Sequence, residues 1–464
     1  MYDPGTGREL FAYVPSPVYP NLSQLTNPRY NHKNFVDATP RVADVFINGD
    51  WRTVLVGGLR GGGQGYYALD VTEPDLITEA TAEDYVLWEF TDQQLGNLGY
   101  SFSAPVIARM ANGRWAAIVA NGYNDSARNV GFNRGNGVQA IVVIDIETGD
   151  LIRRIPPVTD SCRGSGSTPN SPAEPTAIDL DGDNIVDTVY TGGLRGCVIS
   201  YDVSDSDPAQ WPLGETLHTA VDDNNKRLPI TTPIVVGSHP SGSGVMLFFG
   251  TGKYLEPSDQ NPSDRTRRIY GLWDRRDGSN TSVLTRIANG NLLEQSIVGE
   301  ELRGTDSDND GVDDGAARVR ITTQNEIDWE SHEGWYMDLG FGTSLGEQVV
   351  AAPLLRDGRI LFTTHVPSGD QCSPLQDGWF LILDSVSGAM LPNALLDLDG
   401  DGLEDDGVAG GVAGLVNPFA GPAILSAEAS DIILSQNEDD TGLSATRLFT
   451  KFRNGRLSWR ELEP

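Results

Sequence analysis

Positive charge, cysteine, histidine and long apolar runs are all scarce in this 464-residue chain. Lys and Arg number 33 against 65 Asp and Glu, for a net charge of −32. Such a surface repels phosphate backbones, which argues against nucleic acid as a partner. No apolar run approaches the roughly 18 residues of a spanning helix, so no membrane span is expected. Three cysteines, Cys162, Cys197 and Cys372, are too few for a disulfide scaffold and leave at least one thiol unpaired within the chain. A bridge between Cys162 and Cys197 is one possibility, and Cys372 is an equal candidate partner. The five histidines (His32, His218, His239, His332, His365) are scattered, without an HExxH pair, and no G-x-S-x-G elbow occurs. Helical periodicity is nearly absent, residues 292–297 being the best short candidate. The opening MYDPGTGREL carries no signal peptide and reads as a chain cut from something longer.

What is abundant is turn and strand. Glycine occurs 53 times and proline 27 times, and one unit recurs: a strand closing on Asp, often followed by a Thr/Ser-Gly turn. It stands as Tyr67-Ala-Leu-Asp70, Val143-Ile-Asp145, Ile199-Ser-Tyr201-Asp202, Tyr270-Gly-Leu-Trp-Asp274, Trp335-Tyr-Met-Asp338 and Phe380-Leu-Ile-Leu-Asp384. The opening Asp3-Pro-Gly-Thr6-Gly7 is the tail of one more copy. A second unit precedes most copies, a small residue and proline before β-branched or aliphatic residues, as at Pro40, Pro105, Pro233 and Pro353. Proline is tolerated at the start of a strand, where its missing N–H need not join the ladder. Several short strands per repeat match radial repetition, which protects sheet edges. The expected fold is all-β: a seven-bladed, irregular β-propeller with long inserted loops, forming a single domain over residues 1–464. The nine tryptophans are most simply core between blades.

The chemistry is concentrated in the pattern D-x-D-x-D-x-x-x-D. It occurs with ligand positions Asp179, Asp181, Asp183, Ile185 and Asp187, again as Asp306, Asp308, Asp310, Val312 and Asp314, and again as Asp397, Asp399, Asp401, Leu403 and Asp405. Calcium takes six to eight oxygens, and alternating Asp residues with one backbone carbonyl supply them from a tight loop. Gly182, Asn184, Gly311 and Gly402 permit the sharp turn. None is a full EF-hand, because Tyr190, Ala317 and Val408 stand where its last Glu would be. The first loop lies between strand-like segments and reads as a metal-binding β-hairpin; the alternative for each loop is a solvated acidic turn. The glycine-rich stretch from Gly57 to Gly65 lacks the Lys-Ser/Thr of a phosphate-binding loop and leads into a strand, so it is a hairpin turn.

Further motifs run through nearly the whole chain. They are Thr6-Gly7-Arg8-Glu-Leu-Phe-Ala-Tyr-Val-Pro15, Trp51-Arg-Thr-Val-Leu-Val-Gly-Gly-Leu59, Trp88-Glu-Phe90 and Leu98-Gly-Tyr-Ser-Phe102. Asn121-Gly-Tyr123, Phe249-Gly-Thr-Gly-Lys-Tyr-Leu255, Gly334-Trp-Tyr-Met-Asp338 and Arg359-Ile-Leu-Phe-Thr-Thr364 follow. In this order they resemble the C-terminal propeller of the PilC/PilY family, adhesion and biogenesis factors of type IV pili. In that family the calcium loop precedes a V-Y-x-G-x-L-x-G segment, here residues 189–196. The resemblance therefore implies calcium at Asp179, Asp181, Asp183, the Ile185 carbonyl and Asp187.

It also implies that calcium occupancy sets the balance between pilus extension and retraction, and so twitching motility and surface attachment. The implied location is the cell surface of a Gram-negative bacterium, at the pilus tip or outer membrane. The implied partners are pilus components such as minor pilins, together with host or surface ligands. Two departures matter: the family's N-terminal half is not in this chain, and no Arg-Gly-Asp tripeptide is present, Arg303-Gly-Thr-Asp306 not being equivalent. Two other functions compete. One is a quinone-dependent dehydrogenase-like propeller enzyme; many of these carry adjacent cysteines, which are lacking here. The other is a generic calcium-dependent adhesin. The expectation is a non-enzymatic, secreted pilus factor.

Overall fold

The computed structural model describes the chain except residue 4 and residues 124–135, 159, 166–169, 261–264, 279–283, 306–314, 343–345, 368–377, 393–410, 414–422, 427–429, 437–442 and 450–464. The chain divides into two compact units. One comprises residues 1–253 and 272–291, the other residues 254–271 and 292–464.

Within the first unit, alternating and fully apolar runs form three four-stranded antiparallel sheets, each a simple meander. The first holds β1 (Arg41–Ile47), β2 (Asp50–Gly58), β3 (Gly65–Asp70) and β4 (Val86–Thr91). The second holds β5 (Val106–Arg109), β6 (Trp115–Ala120), β7 (Ile141–Asp145) and β8 (Leu151–Ile155). The third holds β9 (Thr176–Ile178), β10 (Thr188–Thr191), β11 (Cys197–Asp202) and β12 (Glu215–Thr219). Such a meander is what a propeller blade requires. Pro40 and Pro105 stand immediately before β1 and β5. The unit also contains the hairpin of β13 (Val235–Ser238) with β14 (Val245–Gly250).

The second sheet is buried on both faces, which is why β7 reads Ile-Val-Val-Ile-Asp without alternation. Ala117, Val119, Val142 and Ile144 pack with Val54, Val56, Tyr66 and Phe90 of the first sheet. Ala116, Ile118, Ile141 and Val143 pack with Val189, Ile199 and Tyr201 of the third. Trp88 belongs to this core, and its indole N–H donates to the Ile146 carbonyl at 2.8 Å. β1, β5 and β9 line a cavity of about 370 Å³ at which Arg41 and Glu174 pair at 3.0 Å. The Gly57–Gly65 stretch holds the β2–β3 connection, residues 59–64, and the strand ends that flank it, and it leads into a strand as expected.

β15 (Arg268–Asp274) contributes residues to each unit. The second unit holds β16 (Leu293–Gln295), β17 (Ile297–Thr305), β18 (Gly315–Thr322) and β19 (Gly334–Asp338). β20 (Leu354–Arg356), β21 (Arg359–Thr363), β22 (Trp379–Asp384) and β23 (Gly411–Ala413) follow. β17 and β18 continue through β23, β22 and β21 to β20 as one sheet. β24 (Ala423–Ser426), β25 (Ser430–Gln436) and β26 (Leu443–Phe449) form another.

Residues 292–297, the helical candidate, are instead mostly strand. Leu293, Glu294 and Gln295 pair in parallel with Trp335, Tyr336 and Met337 of β19. A six-residue segment gains little from an isolated helical turn, and here the neighbouring strand satisfies its backbone. Among the described residues no helical element exceeds four residues. All six Asp-terminated traces lie on strands, β3, β7, β11, β15, β19 and β22, while Gly5 and Thr6 form a turn inside a Tyr2–Glu9 bridge.

Candidate metal centre

The loop from 179 to 187 joins β9 to β10, which pair antiparallel with Thr188 opposite Ile178 and Tyr190 opposite Thr176. The Asp179 carboxylate accepts the backbone N–H groups of Gly182 (2.6 Å), Asp183 (3.3 Å) and Asn184 (2.7 Å). Those bonds wind the chain into a tight coil. Gly182 and Asn184 take left-handed conformations, φ +85° and +65°, which Gly and Asn tolerate best. The coil is fastened at its far end. Val186 N–H donates to the Arg109 carbonyl at 3.0 Å, Asp187 N–H to the Ile178 carbonyl at 3.0 Å, and Asp187 O accepts from Val203 N–H at 2.9 Å.

Carboxylate oxygens of Asp179, Asp181 and Asp187 all lie within 4.8 Å of one another. Oxygens around one calcium ion stand no more than about 5 Å apart, twice the metal–oxygen distance, so the set fits that ion. Three charges so close repel by about 1–3 kcal/mol per pair at effective dielectrics of 80 to 20. Burial pushes the Asp187 carboxyl above its ordinary value, and Asp181 and Asp179 add to this against the Leu180 N–H, which donates to Asp187 Oδ2 at 2.7 Å. Asp183 is not drawn into this trio. Its Oδ1 accepts the Ile185 N–H at 2.8 Å, within the same loop. The other two acidic patterns, at Asp306–314 and Asp397–405 in sequence, lie outside the described residues, as does Cys372.

Cys162 and Cys197 form a disulfide, their Cα atoms 5.8 Å apart. It joins the helical turn Asp160–Arg163 to the start of β11, one strand from the loop hairpin. Sequence reasoning missed the groups behind the hairpin: Tyr190, Asp274 and Arg276, brought together from 86 residues apart. In the sequence the cluster is marked by Tyr190, which follows the acidic loop in the V-Y-x-G segment.

Residues 2–305 match the PilY1 beta-propeller domain. The chain belongs to the PilY1 family. A Xylella fastidiosa "Type IV pilus biogenesis factor PilY1 homolog" is 34% identical over 398 residues, 82% of this chain and 25% of that protein. The Pseudomonas aeruginosa "Type IV pilus biogenesis factor PilY1" is 32% identical over 431 residues, 86% of this chain and 35% of that protein. The crystal structure of the Pseudomonas aeruginosa PilY1 C-terminal domain aligns with a TM-score of 0.76 at 27% identity, covering 96% of this chain and 89% of that one. The chain thus spans between 25% and 41% of the length of the curated PilY1 relatives it matches. The family relationship makes the all-β fold a β-propeller and sets the chain among homologues of pilus biogenesis factors. Among the described residues, no helix is long and apolar enough to cross a membrane.

Proposed function

We propose that this chain is the calcium-binding, non-enzymatic propeller of a type IV pilus biogenesis factor. Calcium occupancy of the 179–187 loop sets pilus extension against retraction, and through it twitching motility and surface attachment. The observation that carries this is the convergence of Asp179, Asp181 and Asp187 in a family of pilus factors. Their carboxylates, the Ile185 carbonyl and the side chain of Asp183 would hold the ion, which supplies the positive charge that this cluster otherwise lacks. The ion cross-links the two ends of the hairpin, and its loss loosens the loop while the surrounding sheets stay packed.

The same proposal takes residues 1–464 as one seven-bladed domain and assigns calcium to the 306–314 and 397–405 loops as well. It sets the parent protein outside the cell, at the pilus tip or outer membrane of a Gram-negative bacterium. Minor pilins and surface or host ligands are its partners. A partner is regulated only if it binds the two loop states with different affinity.

The test is Asp187→Ala, first in this chain and then in the full-length parent. Calorimetry, with the other two loops neutralised, is expected to show calcium binding abolished in a soluble, folded protein. Cells carrying the variant are expected to mis-set pilus number and twitching. Normal piliation and twitching with binding abolished would leave the metal a structural role only. A stoichiometric quinone in the purified protein would overturn the non-enzymatic reading.

A further inference from the structure

The calcium loop has a wall that comes from far along the sequence. β15 ends at Asp274, which is 2% exposed. Its Oδ2 accepts the Tyr190 hydroxyl at 2.6 Å and Arg276 Nη2 at 2.6 Å. Arg276 Nη2 also reaches the Tyr190 hydroxyl at 3.1 Å and Ser200 Oγ at 2.6 Å. Tyr190 stands three residues beyond Asp187 on β10, and Ser200 is its partner on β11. A buried charge pair with its hydrogen bonds satisfied holds one geometry, because moving either partner strands a charge. This end of the 274–278 segment is therefore an anchor on the loop's own hairpin.

The other end touches the loop itself. Gly278, with φ +80°, lies where a methyl group would stand 3.1 Å from Asp181 Cβ and 3.2 Å from Leu180 Cβ. Asp181 is one of the three converging carboxylates, and Leu180 N–H is the group that holds Asp187. Trp273, next to Asp274, stacks on His239 with ring centroids 3.9 Å apart and planes 7° apart, and Arg275 lies 4.5 Å from its ring. An indole held this way changes its emission when the segment shifts.

We propose that residues 274–278 position the calcium loop and follow its occupancy. Gly278 seats Asp181, the Tyr190–Asp274–Arg276 cluster fixes the segment, and Trp273 moves with it. The inference rests on the 179–187 loop being a calcium site. A side chain at 278 strains the backbone and presses on Asp181. The empty loop relieves that pressure by shifting, whereas the loaded loop must hold Asp181 in place. The substitution therefore weakens binding, since it disfavours one state more than the other.

The experiment is calcium titration of this chain by calorimetry, with the 306–314 and 397–405 loops neutralised and tryptophan emission followed in parallel. Asp181→Ala tests the underlying site: binding unchanged in that variant overturns the calcium reading and this inference with it. With the site established, Gly278→Ala is expected to weaken binding by about tenfold, the scale that backbone strain of this kind reaches. Gly242→Ala is the control, because Gly242 has φ +78° with nothing within 4 Å of an added methyl; it is expected to leave the affinity as it is. Equal affinities in Gly278→Ala and wild type overturn the inference while the site stands. A calcium-dependent emission change is expected in wild type, absent in Trp273→Phe and reduced in Tyr190→Phe. Should Gly278→Ala fail to fold, an undiminished response in Tyr190→Phe overturns the inference instead.

Discussion

The indole of Trp88 lies across the turn at Gly149 so closely that a methyl group on that glycine would stand 2.5 Å from Trp88 Cβ. Gly149 closes the Asp145-Ile-Glu-Thr-Gly turn, whose Asp145 Oδ1 accepts the N–H groups of Glu147 (2.8 Å) and Thr148 (3.2 Å). The arrangement recurs in the second unit. Asp384 Oδ1 accepts from Val386 and Ser387, a methyl on Gly388 would overlap Trp335, and the Trp335 indole donates to Ser385 O at 3.1 Å. The repeated Asp-to-Gly turn is thus a seat for an indole from another strand.

Gly149 also has φ +74°, so any side chain there meets backbone strain as well as the indole. Gly149→Ala is expected to cost about 2–4 kcal/mol, strain and overpacking together. Gly113→Ala has φ +81° with open space around it, and is expected to cost only about 1 kcal/mol. Thermal unfolding of the two variants checks this; equal losses would show that the Trp88 contact carries no weight.

The Cys162–Cys197 bridge closes a loop of 35 residues. Removing both cysteines, as Cys162→Ala with Cys197→Ala, is expected to destabilise by about 3–4 kcal/mol through the greater freedom of the unfolded chain. Arg227 Nη1 still donates to the Ser161 and Arg195 carbonyls at 2.9 and 3.1 Å, so the local fold is expected to persist. Peptide mapping under non-reducing conditions should recover the Cys162–Cys197 pair; finding Cys162 joined to Cys372 would contradict it.

His365 is buried, meets Tyr254 edge-on at 4.9 Å, and is pushed by burial down to about 4. The unfolded chain takes up the proton near pH 6.5, where the folded one does not. Stability from this group is therefore complete above about pH 6.5 and is lost as the pH falls toward 4, by about 3 kcal/mol in all. Denaturant unfolding at pH 7 and pH 4.5 should show a smaller decline in His365→Gln than in wild type. Parallel declines would place the acid sensitivity elsewhere.

Arg320 and Glu347 are both fully buried and pair at 2.8 Å. Glu300 and Thr364 complete the cluster, and the Arg320 guanidinium lies 3.8 Å from the Trp379 ring centroid. Glu347→Ala alone is expected to cost about 3–5 kcal/mol, because it leaves a buried cation with less compensation. Arg320→Met with Glu347→Leu is expected to cost clearly less than the sum of the single changes, since the pair's desolvation is removed with it. Additive losses in this double-mutant cycle would mean that the two side chains act independently.

The sequence by itself determined the features that are local. Strand character follows from apolar runs with proline before and Asp after. The 179–187 coil follows from alternating carboxylates with Gly182 and Asn184 between them, because nine consecutive residues contain both the turn and the donors. Family membership was equally legible, since the motifs run in order along the chain. Only the tertiary structure decided which cysteine pairs with Cys162, because either candidate satisfied the chemistry. It made residues 292–297 largely strand through β19, a neighbour that no local pattern names. It brought the carboxylates of Asp179, Asp181 and Asp187 together, while Asp183 Oδ1 accepts the Ile185 N–H. It also placed Asp274, Arg276 and Gly278 against the 179–187 hairpin. Those contacts join residues more than 80 positions apart in the chain, and contacts across such separations follow from how sheets pack, which the spacing of residues along a strand does not encode.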